Sequence, residues 1–256
     1  MADIFRLDGK VAVVIGGAGG LGEALARGLA QYGAKVAIAS RNLQNLQNVA
    51  QNIQAETSSE VVAFQVDAAD EQSVAQLAKQ VVAKFGTVDI LVNSQGANIK
   101  GPPIEFPMTD WDFMFEVNVK GTMLACREFG KVMIEKKKGK IINLSSVRGI
   151  RGTDGGNVGY CATKGAVDMV TRTLAAEWAP YNINVNALAP ALVLTEMIKR
   201  SLKDPTRIEK ARSKVPLGRL AEPQDMVGAG LFLASPASDF VTGQIIYVDG
   251  GLTAIA

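Results

Sequence analysis

Apolar residues fall along this chain in two recurring patterns, short continuous runs and longer amphipathic stretches. Val11-Ala-Val-Val-Ile15 is the first of the runs: β-branched, bounded by Lys10 and Gly16, and predicted as a strand buried on both faces. From Glu23 to Tyr32 the apolar residues recur at helical spacing and Gly33 ends the stretch, which predicts a helix. Further strands are predicted over 36–40, 61–66, 88–92, 141–144, 183–188 and 244–248. Between them lie predicted helices over 42–56, whose stripe is Leu43, Leu46, Val49 and Ile53, over 71–85, closed by Gly86, over 160–178 and over 222–234. Pro102 to Pro107 interrupts the alternation. Thr109-Asp-Trp-Asp112 then resembles a helix start with a capping acid, and that helix runs to about Lys136. Asn118 is unexpected in its interior, because Asn competes there for backbone hydrogen bonds. Residues 192–214 mix polar and apolar positions and read as two short helices.

Strand and helix alternate over all 256 residues with no linker, repeat or low-complexity tract. This predicts an α/β protein, a single doubly wound Rossmann-type domain over 1–256 with about seven parallel strands and helices on both faces. In such a sheet the ligand sits outside the C-terminal ends of the strands. After the first strand stands Gly16-Gly-Ala-Gly-Gly20-Leu-Gly22. Glycines let a pyrophosphate approach the backbone, and the helix that follows offers free N–H groups to it, so this turn predicts dinucleotide binding. The spacing is G-x-x-x-G-x-G rather than the commoner G-x-G-x-x-G. The second strand ends in Ser40-Arg41, where NAD-binding proteins often place an acid against the ribose. Arg can pair with a 2′-phosphate and an acid would repel it, so NADP(H) is expected, with NAD(H) as the alternative. Asp67 and Asn93-Ser-Gln-Gly96 follow the third and fourth strands on the same edge. Asp67 could accept from an adenine amine, and Asn93 reads as a turn former, a ligand contact, or both.

Composition acts mainly by exclusion. Apolar residues make up 48% and the net charge is +2, which suits a buried core and gives no basic stripe for nucleic acid. The densest basic run, Glu135-Lys-Lys-Lys138-Gly-Lys140, reads as cations at a helix C-terminus with Gly139 as the cap. The chain has no histidine, so Ser-His-Asp triads, Cys-His dyads and His-ligated zinc are excluded, and no metal site is expected. Cys126 and Cys161 read as reduced thiols of a cytoplasmic protein. No apolar run suits a signal peptide or a membrane span.

The chemistry centres on Tyr160-Cys-Ala-Thr-Lys164. On a helix, four residues place Tyr160 and Lys164 on one face, and a cation beside a phenol favours the phenolate. Ser145-Ser146 end the fifth strand. With Gly16-x-x-x-Gly20-x-Gly22, Asn93-x-x-Gly96, Asn118, Ser146, Tyr160-x-x-x-Lys164, and Pro190 before Thr195 in this order, the chain resembles the short-chain dehydrogenase/reductase family over essentially its whole length.

The resemblance implies hydride transfer between a nicotinamide and a carbinol carbon, with Tyr160 as general acid/base. Lys164 would lower the Tyr pKa and bind the nicotinamide ribose, Ser146 would hold the substrate oxygen, and Asn118 would hold a water linking Lys164 to solvent. Gly16, Gly20, Leu21, Gly22, Ser40, Arg41 and Asp67 would line the cofactor. So would Ala68, Asn93, Gly96, Pro190, Val193 and Thr195, together with Tyr160 and Lys164. A homotetramer is implied in the same way. Four positions depart from the pattern. Ile15 stands where Thr is usual, Ser94-Gln95 where Asn-Ala is usual, and Ala191 where Gly is usual, and Ser146 precedes Tyr160 by one residue more than is common.

The C-terminal stretch looks most like sugar-acid and polyol dehydrogenases such as the gluconate 5-dehydrogenase group, and also like 3-oxoacyl carrier-protein reductases. Arg148 and Arg151 beside the catalytic pair could clamp a substrate carboxylate. Residues 192–214, with Met197 and Ile198 as adaptable contacts, should form a substrate lid. The expected function is therefore interconversion of a secondary alcohol and a ketone on a small polar substrate. Reduction of a 3-oxoacyl thioester is an alternative, and a dinucleotide-binding sensor or scaffold is the non-enzymatic one.

Overall fold

The first β-branched run forms β1, Val11–Ile15, and every later apolar run joins it in one sheet. The other strands are β2 Lys35–Ser40, β3 Val61–Gln65, β4 Ile90–Asn93, β5 Gly139–Leu144, β6 Ile183–Pro190 and β7 Ile245–Val248. Their order is β3-β2-β1-β4-β5-β6-β7, and every pairing is parallel. The computed structural model describes residues 3–196, 198 and 205–255. The helices are α1 Gly20–Gln31, α2 Leu43–Thr57, α3 Glu71–Phe85, α4 Met108–Phe115, α5 Gly121–Lys136, α6 Val158–Trp178, α7 Pro205–Arg212 and α8 Val227–Ala234.

Alternation along the strands builds two cores. Ala12 and Val14 of β1 face one core with Leu25 and Leu29 of α1, Leu46 and Ile53 of α2 and Leu231 of α8. Val13 and Ile15 face the other with Val74 and Leu77 of α3, Phe129 of α5 and Leu174 of α6. A strand covered on both faces has no polar side to show, which is why the central strands are continuous apolar runs.

Four expectations are corrected. The N-cap of α4 is Pro107, and no acidic side chain caps it. The long helix is interrupted: Glu116–Lys120 form a π-helical turn between α4 and α5. Lys137, in the left-handed conformation, closes α5, while Gly139 already opens β5. Residues 222–234 also divide, into a 3₁₀ turn over Pro223–Met226 and then α8. Among the described residues no helix is long and apolar enough to cross a membrane, and no group of three or more acidic or cysteine side chains could hold a metal ion.

Candidate active site

The crevice of a parallel sheet opens where neighbouring strands send their connections to opposite faces. Here that point lies between β1 and β4, adjacent in the sheet although β2 and β3 separate them in sequence. The glycine loop leaves β1 at this point. Gly16 N–H donates to Ala39 O at 2.7 Å and Gly17 N–H to the same carbonyl at 3.4 Å, so β2 holds the turn that Ile15 has no polar side chain to hold. A Cβ at Gly22 would stand 2.2 Å from Gly16 O, so only glycine lets α1 settle on this turn. α1 begins at Gly20, ahead of the amphipathic pattern, and Gly19 at its N-cap supplies no side-chain acceptor. The leading N–H groups are left for an anion. Thr195 borders the loop, its Cγ2 3.1 Å from where a Cβ at Gly20 would be. Leu21 is partly buried against the core behind it.

The other strand ends give the rest of this edge. Ser40 ends β2 and Arg41 beyond it is exposed. Asp67 is exposed after β3, with Oδ1 accepting Ala69 N–H at 3.0 Å, and the Ala68 carbonyl packs against the start of α5. Asn93 ends β4, but its side chain turns into the core. It donates to Asn143 Oδ1 at 2.9 Å and Cys126 Sγ at 3.3 Å, and Asn143 in turn donates to Thr171 Oγ1 at 2.9 Å. The Asn93 side chain therefore fastens β4 to β5. Gln95 likewise donates to Thr122 Oγ1, at 3.4 Å. Burial pushes the Cys126 thiol up to about 12, which makes it inert, and both cysteines are free.

The catalytic candidates meet at the ends of β5 and β6. Tyr160 and Lys164 stand one turn apart on α6, with Lys164 Nζ 5.6 Å from the phenol ring centroid. Nζ is buried and donates to Leu144 O, the last carbonyl of β5, at 2.6 Å. Burial pushes the lysine down from 10.5 to about 8, against the pull of Asp168 one turn further on. Burial also raises Tyr160; the Ser146 hydroxyl works against it, Cys161 adds to it, and Arg148 opposes it. The expected depression of the phenol by Lys164 is thus not found. The ammonium is directed at a carbonyl rather than the phenol oxygen, and desolvation outweighs every neighbour.

Ser146 lies beside Tyr160 in spite of the extra residue between them, which the loop before α6 absorbs. Its hydroxyl accepts Arg148 N–H at 3.1 Å and donates to Pro190 O, at the end of β6, at 3.5 Å. Asn118 sits in the π-helical turn. Its Oδ1 accepts Ala97 N–H at 2.7 Å, and its Nδ2 donates to Ala97 O at 2.9 Å and Thr163 Oγ1 at 3.0 Å. The widened turn gives this helix-interior Asn its place, and such turns recur at functional sites. A Cβ at Gly96 would stand 3.5 Å from Asn118 Oδ1 and 3.8 Å from Lys164 Nζ, which brings all three residues together.

The two arginines part company. Arg151 Nη1 donates to Leu252 O and so anchors the C-terminal segment, whereas Arg148 donates to Gly152 O at 3.0 Å and acts electrostatically on Tyr160. Of the two, Arg148 is the one that acts on Tyr160. In the expected lid, Val193 bridges to Ala221 and Ile198 N–H donates to Thr195 Oγ1 at 3.3 Å; Met197 lies outside the described residues. The motif reasoning missed Thr163 and Ala97, which hold Asn118. Thr163 was visible as the residue before Lys164, whereas nothing local marks Ala97.

The family model described as enoyl-(acyl carrier protein) reductase matches residues 16–253. The D-threitol dehydrogenase of Mycolicibacterium smegmatis is 38% identical over 249 residues, 97% of this chain and 95% of that protein. The gluconate 5-dehydrogenase of Gluconobacter oxydans is 36% identical over 251 residues, 98% of this chain and 97% of that protein. The crystal structure of a gluconate 5-dehydrogenase from Burkholderia cenocepacia, in complex with NADP and tartrate, is similar at a TM-score of 0.95 and 37% identity, covering 99% of each chain. Fold and site define a Rossmann-type oxidoreductase. The chain belongs to the short-chain dehydrogenase/reductase family.

Proposed function

We propose that this protein interconverts a secondary alcohol and a ketone on a small polar substrate, a sugar acid or polyol, with NADP(H) as hydride partner. The observation that carries the reading is the meeting of Ser146, Tyr160 and Lys164 at the sheet edge that holds the glycine loop. That loop fits a pyrophosphate: α1 settles on it through Gly22, and its leading N–H groups meet no capping side chain. Gly16, Gly20 and Thr195 would border the cofactor, Arg41 would pair with a 2′-phosphate, and Lys164 would meet the nicotinamide ribose. Bound there, the nicotinamide would supply or accept the hydride.

The chain's own residues handle the proton. The Ser146 hydroxyl orients the substrate oxygen, and Tyr160 donates its phenolic proton to that oxygen in reduction and takes it back in oxidation. Burial raises the phenol's pKa, so Tyr160 holds the proton that reduction requires. Relatives acting on threitol and gluconate support a polyhydroxylated substrate, and Arg148 supplies a cation for a carboxylate beside Tyr160. Residues 192–214 are read as the lid over this site. A cytoplasmic homotetramer is part of the same reading, in which Phe240, Met169 and Met123, all exposed, are apolar surface a subunit contact would cover.

The carrier-protein description of the matching family model favours a second reading, reduction of a 3-oxoacyl thioester. A panel of sugar acids, polyols and acetoacetyl thioesters, run with both NADPH and NADH, separates the two. The expected result is turnover of a polyhydroxylated substrate with NADPH, at least about 100-fold lower in Tyr160→Phe with cofactor binding retained. Near-normal rates in Tyr160→Phe would sink the proton-transfer role. Arg148→Ala should raise KM for anionic substrates more than for neutral polyols; equal changes would remove Arg148 from substrate recognition.

A further inference from the structure

Asp168 is a carboxylate only 3% exposed, and the proposed chemistry does not use it. It follows Lys164 by four residues on α6, one turn on along the same face, and Arg172 follows at the next turn, exposed. Ser145, the neighbour of Ser146, adjoins it. The hydroxyl favours the charged carboxylate, yet Ser145 Oγ and Asp168 Oδ1 have no hydrogen-bond partner of regular geometry among the described residues. The turn after Ser146 closes over this part of α6. A Cβ at Gly149 would stand 2.4 Å from Asp168 Oδ2 and 3.2 Å from Lys164 O, so the approach requires glycine. The carboxylate is thus enclosed between the catalytic helix and the serine loop without the hydrogen bonds that usually compensate a buried acid.

Burial raises the pKa of this carboxyl, and the Ser145 hydroxyl, then Arg172 and Lys164 one turn on either side, oppose that rise; Asp168 in return favours the ammonium of Lys164. We propose that Asp168 is a positioning residue for the reaction, whose buried charge, one helical turn from Lys164, holds that lysine as an ammonium ion in the catalytic cleft. Lys164 has no carboxylate within ion-pair distance among the described residues, so a longer-range charge is what opposes its desolvation. The other groups facing the pair are few. Tyr160 adjoins Lys164 on α6, and the Leu144 carbonyl and Asn118 amide facing it from β5 and the π-helical turn do not titrate. Tyr247 of β7 faces Asp168 and Arg172, with Asp249 at that strand's end, and Arg148 acts on Tyr160 from the serine loop.

The inference rests on the proposed role of Lys164, and its test keeps the two apart. Turnover and NADPH affinity are measured from neutral to alkaline pH. In the unmodified enzyme both should fall on the alkaline side as Lys164 loses its proton. In Asp168→Asn, and in Asp168→Ser with its smaller side chain, that fall should move down by about one pH unit, while Asp168→Glu keeps it in place. A fall that stays at the original pH in both neutral variants, each with native circular dichroism, overturns the proposal, because a merely structural role would lower amplitudes without moving the profile. Lys164→Met is assayed alongside. Full activity in that variant would sink the role of Lys164 itself; inactivity there with an unmoved profile in Asp168→Asn would sink the role of Asp168 alone.

Discussion

Two lysines are buried at opposite ends of β5, and their surroundings differ. Lys140, near the start of the strand, is 7% exposed; Lys164, whose Nζ meets the carbonyl at its end, is 4% exposed. Burial pushes both pKa values down. Lys140 has Asp239 Oδ1 at 2.8 Å and Ser238 Oγ at 3.2 Å, a counter-charge and a hydrogen bond that tie β5 to the segment before β7. Lys164 has one carbonyl in hydrogen-bond contact and its nearest opposing charge a helical turn away. Burial by itself therefore does not mark a functional charge. An incomplete set of partners does, because the capacity left over is what a ligand can use.

The largest effect should separate the two lysines by activity. Lys164→Met is expected to lower turnover by about 100-fold or more, since it removes the cation beside the proton donor. Lys140→Met should leave turnover near that of the unmodified enzyme, because Lys140 lies at the opposite edge of the sheet from the glycine loop and Ser146. Steady-state rates at saturating cofactor check this, and comparable losses in both variants would erase the distinction.

The same contrast shows what the sequence can carry. β1 was legible to the residue because a continuous β-branched run beside glycine has few alternatives, and Ser146, Tyr160 and Lys164 were legible as a spaced set. The π-helical turn at Asn118 was not. One extra residue in one turn changes the spacing of apolar positions too little to show against a helix that long. Nor was the fate of Arg151, whose partner Leu252 lies 101 residues away with nothing local to indicate it. Asn93 was placed just beyond the fourth strand, which in fact ends on it, and was assigned to no face, because period-two alternation loses its phase where a strand stops. Asp168 stands at helical spacing from Lys164, but the Tyr-x-x-x-Lys motif ends at the lysine and nothing in it marks the acid.

A second measurement sharpens the comparison through stability. The folded pKa of Lys164, about 8, lies below the 10.5 of an exposed lysine, so between those values the unfolded chain binds more protons than the folded one. Stability contributed at this site therefore rises with pH across that window, by up to about 1.4 kcal/mol per pH unit, and is lowest where the buried ammonium must be kept. Lys164→Met lacks the titration. Urea unfolding of both proteins should show the unmodified enzyme gaining on the variant from pH 8 to 10.5. A constant difference would mean that the lysine carries no net desolvation cost, and its contrast with Lys140 would then rest on activity alone.

The smallest effect is the stability of Lys140→Met. A fully buried ion pair broken from one side strands the other charge and costs about 3–5 kcal/mol. Here the Asp239 side chain is 60% exposed, so water takes over when the ammonium is removed, and Met fills much of the volume of the lysine stem. Ser238 Oγ retains Leu233 O and Ser235 O as acceptors at 3.1 and 3.2 Å. The expected loss is therefore about 1 kcal/mol or less by thermal or urea unfolding. A loss in the range of a fully buried pair would mean that Asp239 does not face water in the assembled protein. Its neighbour Phe240 is fully exposed in the isolated chain, so that outcome would place this corner of the fold under another subunit and make Lys140 part of a contact rather than a tie within one chain.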